Sequence, residues 1–337
     1  MKAACIENGF GFENLRIRER EIPEPGKGEV LVRVRAASLN YRDVMVVDGR
    51  YNPSYPLPLT VGSDAVGEVT ALGEDADTGL SLGDRVCPLF AQGWMDGAPR
   101  RDTTRQSLGG PLQGVFAEYA LARADSVVKV PAYLSDAEAA CLPCAALTAW
   151  SALVTLNPLG KGESVLTLGS GGVALFAAQI ARGVGARVLA TTRDPSKRER
   201  LERLGLEAVI DARQEKWGET ARQLAGGEGV DHVVEVGGTQ TLGNSLRAAR
   251  PGGVISLIGV LGGSEAPSLL PVVMRNLRLQ GVFVGHRRSF EAMLTSFETQ
   301  RLRPLIDSVY PLERVGDAFA RLRSGSHFGK VCLSVGG

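Results

Sequence analysis

One stretch, Gly169-Ser-Gly-Gly-Val-Ala174, constrains the fold of this chain more than any other. The short apolar run Val165-Leu-Thr-Leu168 precedes it, and a helical stretch to about Gly185 follows. A strand that turns on glycines into a helix is the opening of a parallel βαβ unit. In such a unit Gly169 makes the tight turn, Gly171 lets the backbone approach a pyrophosphate, and Ala174 lets helix and strand pack closely. Ser170, Gly172 and Val173 complete the loop, whose free N–H groups lie at a helix N-terminus and favour anions. The plainer alternative is a glycine-rich turn without a ligand.

More strands follow at the spacing this unit requires: Arg187 to Thr192, Ala208 to Asp211, His232 to Val236, Val254 to Val260 and Leu279 to Gly285. Helical stretches separate several of them, which predicts a parallel sheet covered on both faces. The first 125 residues read differently. Glu29-Val-Leu-Val-Arg-Val-Arg35 alternates with period two, Ala65 to Leu72 is strand-like, and turn clusters such as Pro23-Glu24-Pro25-Gly26 lie between elements. Residues 91–113 lack periodicity and carry Trp94 and Met95, as a lid or a vestigial lobe does.

The end of the second strand selects the nucleotide. It reads Thr191-Thr192-Arg193-Asp194-Pro195-Ser196-Lys197. Arg193 and Lys197 suit a 2′-phosphate through charge-assisted hydrogen bonds, beside Thr192. Asp194 is either the acid that holds an NAD ribose or, followed by proline, a helix N-cap. The cap accounts for Asp194 without a ligand, and NADP is the expectation.

Composition excludes other classes. The 38 Lys and Arg and 37 Asp and Glu leave a net charge of +1, so neither nucleic acid nor an anionic membrane is an expected partner. Five cysteines, an odd count, are no disulfide scaffold and fit a reducing cytoplasm. The opening residues lack the apolar core of a secretory leader. The uncharged stretches 139–160 and 164–181 are broken by Pro143, Pro158, Asn157, Gln179 and glycines, and are read as buried core rather than membrane spans.

Ala37-Ser-Leu-Asn-Tyr-Arg-Asp43, Gly62-Ser-Asp-Ala-Val-Gly67, Gly83-Asp-Arg-Val86, Leu147-Thr-Ala-Trp150, the loop 169–174 and Gly329-Lys330-Val331 together resemble the medium-chain dehydrogenase/reductase superfamily over the whole chain. The resemblance implies an α/β chain with a GroES-like, β-rich catalytic domain over 1–123. A Rossmann domain with a doubly wound parallel sheet would span 124–286, and 287–337 would return to the catalytic domain. It implies an oxidoreductase acting on a small-molecule substrate, and a homodimer joined along the last strand of the sheet. Thr148 would meet the nicotinamide ribose or carboxamide. Gly237, Gly259 and Val260 would lie at strand ends that face the cofactor. Phe283 and Val284 would present backbone to the carboxamide, and Lys330 or His327 would approach the phosphates.

Zinc alcohol dehydrogenases of that superfamily carry Cys-His where this chain has Asn40-Tyr41, and Gly-His-Glu where it has Gly62-Ser63-Asp64. Cys144 matches the third ligand, but a single thiolate is no tetrahedral site. Between 87 and 117 only Cys87 stands where a structural zinc lobe needs four cysteines, and His232, His286 and His327 match no ligand. The expectation is therefore no metal, with NADPH-dependent reduction of quinones or of activated C=C bonds in enones and enoyl compounds. The segment resembles quinone oxidoreductases and enoyl reductases in Asn40 and Gly49-Arg-Tyr51, which implies Tyr51 as proton donor and Asn40 as the residue that positions cofactor or substrate. Tyr41 is the alternative donor. A metal-free alcohol dehydrogenase and a non-enzymatic, crystallin-like NADPH-binding protein are the competing functions. Purely structural alternatives stand beside these: Tyr51 packed beside Pro53, Asn40 satisfying backbone, Arg42 paired with Asp43, and Cys141 with Cys144 as two buried thiols.

Overall fold

A computed structural model describes residues 1–76, 79–259 and 267–336. They form two units, Met1–Leu147 with Val284–Gly337, and Thr148–Phe283. The first unit thus runs past residue 123, where the sequence reading ended it. Strand Val127–Lys129 pairs with Arg85–Pro88, and helix Asp136–Ala140 packs on strands Glu29–Ser38 and Asp64–Leu72, which binds residues 124–147 to this unit.

The second unit is a six-stranded sheet, every pairing parallel. Its order is Ala208–Asp211, Arg187–Thr192, Ser164–Leu168, Val230–Glu235, Ala249–Leu257, Arg278–Gly281. Starting in the middle, running outward to one edge and then to the other, this is the doubly wound Rossmann order. Helix Gly172–Gly183 buries Ala174, Ala177, Ala178 and Ala181, small residues that allow close approach to the sheet. Leu166, Leu189, Val233, Ile255 and Trp217 share its core. The last strand stops at Gly281, short of the expected Gly285, and Val282 and Val284 beyond it are buried.

In the first unit a seven-stranded sheet centres on Glu29–Ser38, which pairs with Asp64–Leu72, Tyr119–Arg123 and Lys330–Ser334. Its pairing with Asp64–Leu72 shifts register twice, passing over Thr70 on the partner and Arg35 on this strand. Its early residues are buried on both faces, so Leu31 is covered where simple alternation would expose it. Strand Lys2–Ile6 pairs with Leu15–Glu19 and Leu59–Thr60 to make a smaller sheet, and Phe116, Phe319, Leu59 and Leu333 fill the core. The segment 91–113 is anchored rather than loose. Trp94 O and Met95 O accept from Arg287 N and Arg288 N, the Trp94 ring meets His286 edge-on at 5.9 Å, and Arg42 donates to Leu108 O at 2.9 Å. No helix among the described residues is long and apolar enough to cross a membrane.

Candidate functional site

The candidate residues fall in both units. In the second, Ser164–Leu168 ends at Gly169, whose φ is +79° and whose N–H donates to Thr191 O at 2.9 Å. Gly171 is the N-cap of Gly172–Gly183 and offers no side chain to the first-turn N–H groups. Lying past the C-terminal end of a central parallel strand, those donors fit a pyrophosphate. Ser170 is buried; Gly172 and Val173 are half-buried.

At the next strand end, Thr192 is buried and accepts from Asp194 N at 3.1 Å. Asp194 caps the short helix Pro195–Lys197: its Oδ1 accepts from Ser196 N at 3.0 Å and Ser196 Oγ at 2.6 Å, and these bonds hold the carboxyl below its ordinary range. Arg193 is exposed, but Lys197 is buried with Nζ 4.0 Å from Asp194 Oδ2. The expected pair of cations is therefore unequal, because Lys197 is drawn into the cap.

Glu235, which the sequence reading missed, builds the third strand end. Fully buried, it accepts through Oε1 from Gly237 N, Gly238 N and Thr241 Oγ1 at 2.7, 3.0 and 2.6 Å, and through Oε2 from Ser245 Oγ. The signal was an acid ending an apolar strand before two glycines. Gly259 packs against this turn so closely that a Cβ would stand 1.8 Å from Val236 O, which only glycine permits. Thr148 and Val284 are buried and Phe283 is half-buried, while Val260 lies outside the described residues.

In the first unit, Asn40 N-caps helix Tyr41–Val47, and Asp43 Oδ2 accepts from Asn40 N at 2.7 Å. Burial pushes the Asp43 carboxyl up to about 7 against the pull of Arg42. Arg42 does not pair with it. The guanidinium instead grips the carbonyls of Leu108 and Gly110 and stacks on Tyr51 and Phe90, at 4.9 and 4.8 Å from the ring centroids. Tyr51 and Tyr41 are each 36% exposed.

Lys330, expected near the phosphates, is only 4% exposed and donates through Nζ to Leu39 O and Asn40 Oδ1, each at 2.6 Å, inside its own unit. A single charge within the apolar run 328–335 was the available signal. His327 is half-buried. The network continues from Asn40 Nδ2 to Ser63 Oγ at 3.4 Å and from Ser63 Oγ to Asp64 Oδ1 at 2.8 Å, and Asp64 Oδ2 accepts from Cys144 N at 3.0 Å. Burial raises the Asp64 carboxyl against Lys330, and raises the Cys144 thiol far above its usual range.

These donors do not suit zinc. An ammonium holds the Asn40 oxygen and hydrogen bonds take both Asp64 oxygens, which leaves neither side chain with a free oxygen to offer a metal. Among the described residues no three His, Cys, Asp or Glu cluster as a metal site. Cys141 is buried with Sγ 3.5 Å from Cys332 Sγ, so its neighbouring thiol is Cys332 and not Cys144.

Residues 172–299 match a family model described as zinc-binding dehydrogenase, and residues 26–132 match one described as alcohol dehydrogenase GroES-like domain. The zinc-type alcohol dehydrogenase-like protein of Schizosaccharomyces pombe is 37% identical, over 96% of either chain. Acryloyl-coenzyme A reductase of Metallosphaera sedula is 30% identical, over 99% of this chain and 100% of its own. Among solved structures, an NAD-dependent alcohol dehydrogenase superposes with a TM-score of 0.91 at 31% identity, over 100% of both chains. A mycobacterial quinone oxidoreductase superposes with a TM-score of 0.81 at 27% identity, over 99% of both.

Proposed function

Because the chain belongs to the medium-chain dehydrogenase/reductase superfamily and is an oxidoreductase, we propose that it reduces quinones or activated C=C bonds with NADPH and without zinc. One observation carries this reading: the Lys330 ammonium sits 2.6 Å from Asn40 Oδ1, where zinc relatives hold a metal ligand. A fixed cation there opposes a second one. Similarity to acryloyl-coenzyme A reductase along the whole chain supports the C=C class. The family's enzymes set aside the non-enzymatic alternative.

The N–H groups of Gly171, Gly172 and Val173 hold the pyrophosphate, with Gly169 and Ser170 shaping the loop. Arg193 pairs with the 2′-phosphate while Asp194 remains a cap. Thr148, Gly237, Gly259 and the backbone of Phe283 and Val284 border the nicotinamide end. The bound cofactor supplies a hydride to the β-carbon. Asn40 donates an N–H that holds charge as it develops on the substrate oxygen, which hydrogen-bond donors can do in place of a Lewis acid. The Tyr51 hydroxyl, or that of Tyr41, gives a proton to the α-carbon.

The test is NADPH oxidation across quinones, enones and enoyl thioesters, with alcohols assayed in the reverse direction, each with and without a chelator. Turnover of a quinone or an activated alkene that survives chelation is expected. A tightly bound zinc that activity requires, or activity confined to alcohols, would sink the reading.

A further inference from the structure

We propose that Lys330 is a positioning residue, whose ammonium fixes which face of the Asn40 amide meets the reaction. The inference rests on the role given to Asn40 above. Gly329 has φ +95°, and a Cβ there would stand 2.1 Å from Leu305 O. Only glycine fits, and the strand Lys330–Ser334 enters the sheet beside Glu29–Ser38 with the lysine buried. There Nζ donates to Leu39 O and to Asn40 Oδ1.

A lysine only donates, whereas an asparagine amide donates from one side and accepts on the other. The Asn40 oxygen must therefore face Lys330, because a flipped amide would set NH₂ against NH₃⁺. The far end of the chain has the same polarity. Asn40 Nδ2 donates to Ser63 Oγ, Ser63 donates to Asp64 Oδ1, and Asp64 is held at its other oxygen by Cys144 N. A donor-only group at one end and a carboxylate at the other leave a single orientation for every dipole between them. Asn40 Nδ2 donates to Ser63 and the amide is also held by the Asp64 side chain, so Lys330 at one end and these groups at the other fix one orientation of the amide toward the substrate. Asn40 is 9% exposed, so part of it reaches the surface of its unit.

Two variants separate positioning from plain stability. Lys330→Met keeps the chain length and removes the donor. Asn40→Asp keeps an acceptor for Lys330 and removes both N–H groups. Each should lower kcat by about 10-fold or more, with the NADPH Kd nearly unchanged, and the double variant should be no slower than Asn40→Asp alone. Unchanged kcat in Lys330→Met, or losses that multiply in the double variant, overturn the proposal. If Lys330→Met does not fold, Asn40→Asp decides: it should fold and be slow, and full activity overturns the proposal. A wild type that turns over none of the panel contradicts the proposed reaction instead. The pairing is then read from urea unfolding of Lys330→Met, Asn40→Leu and their double variant. Non-additive losses support it and additive losses overturn it.

Discussion

Asp194 lies where an NAD ribose acid would, yet its carboxylate already satisfies Ser196 N and Oγ. On the proposed NADPH reading, exposed Arg193 is the residue that answers the 2′-phosphate, with Lys197 held in the cap. Arg193→Ala removes one charge-assisted hydrogen bond, worth about 1.5–3 kcal/mol. Fluorescence titration should show NADPH weakened by about 10- to 150-fold and NADH hardly at all; equal weakening returns Asp194 to the ribose. At Tyr51 the ring lies on the Arg42 guanidinium, a contact that phenylalanine keeps. Tyr51→Phe should therefore fold and bind NADPH while enone turnover falls by about 10²–10⁴-fold, the usual contribution of a positioned acid. A quinone, whose reduced form takes protons from water, should suffer much less. If Tyr41→Phe slows the enone instead, the donor is Tyr41.

The strand Val230–Glu235 divides its duties between its two ends. At its C-terminal end Glu235 fixes the turn of Gly237. Near its start His232 is buried in the sheet, with Nε2 2.8 Å from Ser256 Oγ on the neighbouring strand. Burial, aided by Arg278, depresses the imidazole to about 4 from its ordinary 6.5. The unfolded chain takes up a proton as pH falls through 6.5, and the folded chain refuses it until about pH 4. Stability from this group is complete above 6.5, declines as pH falls, and is fully lost below about 4. The loss at pH 5 is about 2 kcal/mol. Urea midpoints at pH 7.5 and 5 should show that decline in the wild type and a shallower one in His232→Gln. Equal acid sensitivity in both would place the titration elsewhere.

For the whole molecule, the open question is what covers the edge of the six-stranded sheet. Arg278–Gly281 is that edge, and the preceding helix, Leu270–Met274, leaves Leu270, Val273 and Met274 at 64, 72 and 72% exposed. An uncovered apolar edge invites association. We propose a two-fold dimer through this face. Charge placed at Val282 or Val284 would strike the interior, since those side chains are 6 and 3% exposed. Val273→Glu with Met274→Glu addresses the surface instead and should shift light-scattering mass toward the monomer without lowering the melting temperature. A wild type that is monomeric at micromolar concentration contradicts the dimer.

What the sequence determined by itself was local. The turn from Leu168 through Gly169 into the helix, the strand Arg187–Thr192 and the proline after Asp194 were legible because backbone preference and side-chain period act over a few residues. Repeating that unit implied a parallel sheet covered on both faces, and the doubly wound order came from the family resemblance. The tertiary structure decided which distant groups meet. Lys330 reaches Asn40 across 290 positions, Cys141 reaches Cys332 across 191, and the backbone of Trp94 meets the N-terminus of the helix Arg287–Gln300. No periodicity encodes such partners. They are selected when burial removes water from a polar group and the nearest complementary donor or acceptor must replace it, and that neighbour exists only once the strands have assembled.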